Sequence, residues 1–156
     1  MSRVVLSAAA PGVRSAVSDA SFGPLEVSPG DDVVGRFLAA VASAGIVDCD
    51  AWSPTVVLDA TVPNWRFSRH GADAVRAEYA RWFAHPGRFE ALRRGRLDGG
   101  EVIEYTLCWE EDGIPHAAHH MHLLSIVDGS IVADTVMCGG RWPASLLAEM
   151  GAVARD

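Results

Sequence analysis

Three observations predict an α+β fold, with N-terminal helices packed on a strongly curved antiparallel sheet. Two segments in the first half, 28–45 and 71–87, repeat their apolar residues at helical spacing. From residue 88 the period falls toward two, in four runs that read as strands. Those runs are separated by DGG (98–100), EDG (111–113) and DG (128–129), tight-turn signals that join antiparallel neighbours. Helices followed by such a meander mark α+β.

The elements follow in order. Residues 1–27 have weak periodicity and read as an N-terminal arm, extended or poorly ordered, before a single domain over 28–156. In the 28–45 helix Ser28 is the expected cap and Pro29 suits the first position. Asp31 and Asp32 favour its positive end, and Gly45 stops it. Val33, Val34, Phe37, Leu38 and Val41 share its apolar face. A short helical piece is expected at 48–52, and the β-branched stretch PTVVLDATVPNW (54–65) reads as one strand. Val75, Tyr79, Trp82 and Phe83 form the apolar face of the 71–87 helix, which Pro86-Gly87 ends. The four later strands are 88–97, 101–111, 115–127 and 130–138, and a short helix is expected over 142–151.

Composition bounds the function. Net charge is −7, and all 13 basic residues are arginines with no basic stripe, which argues against nucleic acid as a partner. No apolar run reaches the roughly 18 residues of a membrane helix. The opening VVLSAAA is short for a leader, and the three cysteines are odd in number without a CxxC, so a reducing, cytoplasmic location is expected. The basic run 88–96 is expected at a solvated strand edge or paired with the acidic 110–112.

The segments LDATVPNW (58–65), GADAVRAEYARWF (71–83) and VDGSIVADT (127–135) occur in an order that resembles the NTF2-like superfamily, in particular its SnoaL-like branch. The resemblance covers roughly residues 30–142. It implies a cystatin-like cone with an apolar cavity, homodimerisation through the convex sheet face, and no cofactor. The superfamily holds ketosteroid isomerases, polyketide cyclases, scytalone-type dehydratases, limonene-type epoxide hydrolases and proteins that only bind, so fold alone does not choose a chemistry. Where the isomerase pattern has its carboxylate base, this sequence has Asn64, an amide that cannot take a proton. The isomerase's oxyanion acid maps near His122. The epoxide-hydrolase Arg-x-Asp pair is replaced by His120-Met121-His122, and that family's last-strand acid maps near Val136. By residue type the scytalone-type dehydratases, with two histidines, a carboxylate and tyrosines, are the nearest analogue.

Four of six histidines lie in HAAHHMHLL (116–124). Strand alternation reduces the cluster to a pair, because Ala118, His120, His122, Leu124 and Ile126 share one face. His119 and Met121 point the other way, and His116 is expected in solvent beside the turn. A metal would need a third well-placed ligand, which the spacing does not offer, so no metal is expected. Imidazole titrates near neutrality, so His120 and His122 are the candidate acid–base pair. Asp134, on the adjacent strand, could orient one of them. Tyr105 and Asn64 are candidate hydrogen-bonding groups to a substrate. Trp65 is a candidate for the cavity wall, together with Trp82, Trp109 and Trp142. Asp59 is read as a cavity acid or the partner of an arginine. Arg141, after the Gly139-Gly140 pair, is read as the partner of a carboxylate from protein or ligand. The expected function is acid–base catalysis of the dehydratase, cyclase or isomerase type on a small hydrophobic, cyclic or polyketide-like molecule, with a rate titrating between about pH 5 and 8. The alternative is a binding or dimerisation module of the same fold.

Overall fold

The structure, a computed structural model, describes residues 32–153. The expected arm and the Ser28 cap lie outside the described residues. Helix α1 spans Val33–Ser43, followed by a 3-10 turn at Ile46–Asp48. Strands β1 (Trp52–Val62) and β2 (Trp65–His70) lead into α2 (Ala72–Trp82). Then come β3 (Gly87–Leu97), β4 (Gly100–Glu111), β5 (Ile114–Val127), β6 (Ser130–Pro143) and α3 (Ala144–Val153).

All six strands form one sheet in the order β2-β1-β6-β5-β4-β3. The last four make the expected antiparallel meander. Two features depart from expectation. First, β1 lies parallel to β6, so the sheet is mixed. Second, the stretch read as one strand over 54–65 ends at Val62, and a separate strand follows. Pro63 and Asn64 form a two-residue turn, with Asn64 at φ 63° and Val62 opposite Trp65. Asparagine tolerates that left-handed conformation better than most residues. β2 was hidden because it is an edge strand, largely exposed, with no apolar face to give it a period.

Helix α1 is capped by Asp32, whose Oδ1 accepts the Gly35 N–H at 2.6 Å. Expected inside the first turn, Asp32 instead precedes it. Arg94 donates to the same carboxylate at 3.0 and 3.1 Å and to Glu101. The basic run of β3 thus pairs with Asp32, Glu101 and Glu104 rather than with 110–112. Val34, Phe37, Leu38 and Val41 pack with Val75, Tyr79 and Phe83 into the core, against inward residues of the sheet such as Leu58, Ile103, Leu124 and Val136.

Breaks in register bend the sheet, two of them between β5 and β6. Ala118 pairs with Arg141 and His120 with Cys138, so β6 carries the extra residue at Gly139-Gly140. Gly140 sits at φ 88°, and a Cβ there would meet the Pro63 ring at 2.8 Å. The glycine is required twice: by its backbone angle and by the close approach of the β1–β2 turn.

Candidate active site

The meander aligns four inward side chains. Tyr105 on β4 is opposite His120 on β5, and Ile103 is opposite His122. On β6, Cys138 faces His120 and Val136 faces His122, with Asp134 diagonally beyond. Side chains on one face, directly or diagonally opposite, come within reach of each other. Helix α2 lowers Tyr79 onto this row.

The result is a buried polar chain. Tyr79 donates its O–H to Asp134 Oδ2 at 2.6 Å. His122 Nδ1 lies 3.1 and 3.2 Å from the two Asp134 oxygens, and His122 Nε2 is 3.0 Å from the Tyr105 hydroxyl. With Asp134 ionised and His122 neutral, one proton arrangement satisfies every contact. Nδ1–H donates to the carboxylate, and Nε2 accepts from Tyr105. Tyr79, Tyr105, His122 and Asp134 are all essentially inaccessible to solvent. Burial, and next the Asp134 charge, push both tyrosines well above the usual phenol range, so they stay protonated donors.

His120 differs. It is 3 % exposed, and its ring packs against Tyr105, Phe83 and Trp82 at centroid distances of 5.2, 5.4 and 6.1 Å. Among the described residues it has no hydrogen-bond partner, and its Nδ1 is fully enclosed. Burial lowers its pKa to about 3, with His122 and His119 adding in the same direction. At neutral pH it is therefore an uncharged imidazole.

A cleft of about 350 Å³ ends on His120. Trp82, Phe83, Leu107, Trp109, Ala118 and Cys138 also line it, and Arg81, His85, Glu111 and Arg141 contribute its charged and polar lining. Glu78 fixes one side. It accepts from Trp82 Nε1 at 3.0 Å, Arg81 at 2.5 Å and Arg69 at 2.9 Å. A cleft of this size, mostly apolar with a few polar groups, is the usual form of a small-molecule site.

The structure brings together His120, His122, Asp134 and Tyr105, and sets Arg141 in the cleft wall. Arg141 Nη2 donates to Glu111 and, at 2.9 Å, to His116 Nε2. Three other candidates lie elsewhere. Asn64 is exposed in the β1–β2 turn and Trp65 is 69 % exposed on the edge strand. Asp59 is bound by Arg66 at 3.0 and 2.5 Å on the outer face. It alternates with buried Leu58 and Ala60, so it cannot share their side of the sheet. His116, expected in solvent, is buried. Its Nδ1–H donates to the Ile114 carbonyl at 2.9 Å and its ring stacks on Trp109. It has the same parity as His120, and the hairpin continues past it. Of the tryptophans, Trp82 and Trp109 line the cleft, whereas Trp142 stacks on His119. Helical spacing marks Tyr79 only as apolar surface. Its hydroxyl partner is 55 residues away, and no local pattern points to it. Among the described residues, no group of three His, Cys, Asp or Glu side chains is placed to hold a metal ion. No helix among them is long and apolar enough to cross a membrane.

A putative isomerase from Bacillus subtilis superposes with a TM-score of 0.57 at 15 % identity, over 69 % of this chain and 84 % of that one. A protein of ketosteroid isomerase-like fold from Catenulispora acidiphila, crystallised with trimethylamine, gives 0.51 at 16 % identity, over 68 % and 84 %. The fold is ketosteroid isomerase-like, that is, NTF2-like. An NTF-2 like protein of unknown function from Burkholderia xenovorans aligns at 0.47 and 20 % identity, over 69 % of this chain and 80 % of that one. No family model matches the sequence. No curated protein matches it either.

Proposed function

We propose that this NTF2-like protein is a cofactor-independent enzyme acting by proton transfer on a small hydrophobic, cyclic or polyketide-like molecule, of the dehydratase, cyclase or isomerase type. The observation that carries the proposal is His120, a buried imidazole without a protein partner at the inner end of an apolar cleft. A buried polar group left unpaired costs about 1–3 kcal/mol. A ligand hydroxyl or carbonyl meets the ring at Nε2, since Nδ1 is enclosed, so binding and orientation are coupled. The neutral ring can accept a proton from the bound molecule. Burial disfavours the imidazolium so formed, so it returns the proton readily to another atom of the bound molecule. His122, Asp134 and Tyr105 act as positioning residues, since all three are sealed from the cleft and bonded to one another.

This reading revises the expected pH profile. A rate that needs neutral His120 should be flat from about pH 5 to 8, because the group titrates near 3. The check is turnover of cyclic hydroxyketones and enones, with His120→Gln as the paired control. Turnover that survives His120→Gln, or that titrates near pH 6.5, defeats the assignment. Retention of a ligand without turnover is the second reading, favoured by the fact that only one histidine of the pair reaches the cleft. It predicts binding that depends on His120 and recovery of the ligand unchanged.

We further propose a homodimer, located in the cytoplasm. The outer sheet face exposes Met121, Leu123 and Met137 at 41, 48 and 55 %, with Met121 directly opposite Met137. A contiguous apolar face of this kind marks an association surface. Light scattering should return twice the chain mass; a value near 16.6 kDa overturns the dimer.

A further inference from the structure

The lining of the cleft also points to the kind of molecule it receives. The chain is acidic overall, at −7. The cleft reverses that balance, with two arginines, Arg81 and Arg141, against one carboxylate, Glu111. Arg141 is not a loose surface group. Its Nη2 is fixed between Glu111 and His116. His116 is itself locked as the Nδ1–H form by the Ile114 carbonyl, which leaves Nε2 to accept from the guanidinium. Arg81 is held in the same way, through its Nη2, by buried Glu78. In both arginines, Nε and Nη1 make no hydrogen bond among the described residues. Each therefore presents spare donors from an anchored position. Trp82, Phe83 and Trp109 line the same cleft as these cations and His120.

We infer that the cleft selects ring compounds bearing a carboxylate, with the acid group on Arg141 and Arg81, the ring against Trp82 and Trp109, and the opposite end at His120. The inference rests on the cleft being the ligand site, as proposed above, and adds the charge of the ligand. A neutral molecule of the same shape would leave the spare donors to water and lose the charge-assisted contact.

The test compares 2-naphthoate with 2-naphthamide, two probes of one shape that differ in charge, by calorimetric titration of the full-length protein. Naphthoate should bind at least about tenfold more tightly than the amide, the range expected of a hydrogen bond to a charged group. Arg141→Gln should weaken naphthoate by about tenfold and leave naphthamide unchanged. Glu111→Gln should act in the opposite direction and tighten naphthoate, because it removes the competing charge. This second variant keeps the test independent of any damage done by losing Arg141. Equal binding of the two probes, each lost in His120→Gln, overturns the carboxylate inference and leaves the cleft as the ligand site. No binding of either probe overturns both.

Discussion

Asp134→Ala should destabilise the protein by about 2–6 kcal/mol, the cost of stranding two buried hydrogen-bond donors. Among the described residues the carboxylate is the only acceptor for two buried donors, the Tyr79 hydroxyl and His122 Nδ1–H. Removing it strands both, each at about 1–3 kcal/mol, and opens a cavity in the core. Asp134→Asn is the sharper variant. The amide oxygen can still accept from Tyr79, but its NH2 then faces His122. The imidazole can adapt by moving its proton to Nε2 and accepting at Nδ1. Nε2–H would then donate to the Tyr105 oxygen, and the Tyr105 proton would lose its acceptor. Tyr105→Phe should consequently cost less stability in the Asp134→Asn background than in the parent. Urea unfolding of the four proteins of this double-mutant cycle measures the coupling. An Asp134→Ala loss below about 1 kcal/mol would show that the chain of bonds is not formed as described.

The second large effect has the opposite sign. His120→Leu should raise stability at neutral pH by about 1–3 kcal/mol, because it replaces an unpaired buried polar ring with an apolar side chain. It should also change acid sensitivity. In the unfolded chain His120 titrates near 6.5, and in the folded protein near 3. Between those values the unfolded state holds a proton that the folded state refuses. Its contribution is complete above about pH 6.5 and is lost progressively as pH falls toward 3, by up to about 1.4 kcal/mol per pH unit. The parent should therefore lose stability between pH 6.5 and 4.5 more steeply than His120→Leu. Parallel pH profiles for the two proteins would contradict the burial of this ring. A gain in stability on deleting His120, together with loss of ligand binding, is the pattern expected when a site is maintained for function at the expense of the fold.

The helices and the meander were readable because their signals are local. Asp112-Gly113 and Asp128-Gly129 both adopt positive φ, as two-residue hairpins require, and such turns fix the register of the strands they join. Once register is fixed, alternation alone places His120, His122 and Tyr105 on one face, with Asp134 within reach. Other features depend on contacts that no local period encodes. The parallel pairing of β1 with β6 joins residues 76 to 79 positions apart, so the sequence order of the strands concealed it. Reading 54–65 as one strand carried Asn64 and Trp65 toward the cavity, whereas the Pro63-Asn64 turn sends them to the sheet edge. Asp59 shows how much alternation can decide when it is applied from a correct anchor, since buried Leu58 and Ala60 place it outside. The burial of His120, which removes its ordinary titration, follows from packing by α2 and was invisible in the strand itself.

The polar chain from Tyr79 through Asp134 and His122 to Tyr105 has a consequence for how the sheet assembles. Its members come from α2, β6, β5 and β4, so it closes only when all four elements have docked. A slip of β5 by one residue would turn Met121 inward and leave Asp134 facing a thioether. Within β5 that slip would exchange buried His122 and Leu124 for exposed Met121 and Leu123, so hydrophobic burial alone discriminates weakly against it. The four polar groups discriminate strongly, acting as a combination lock that only one alignment of the strands opens.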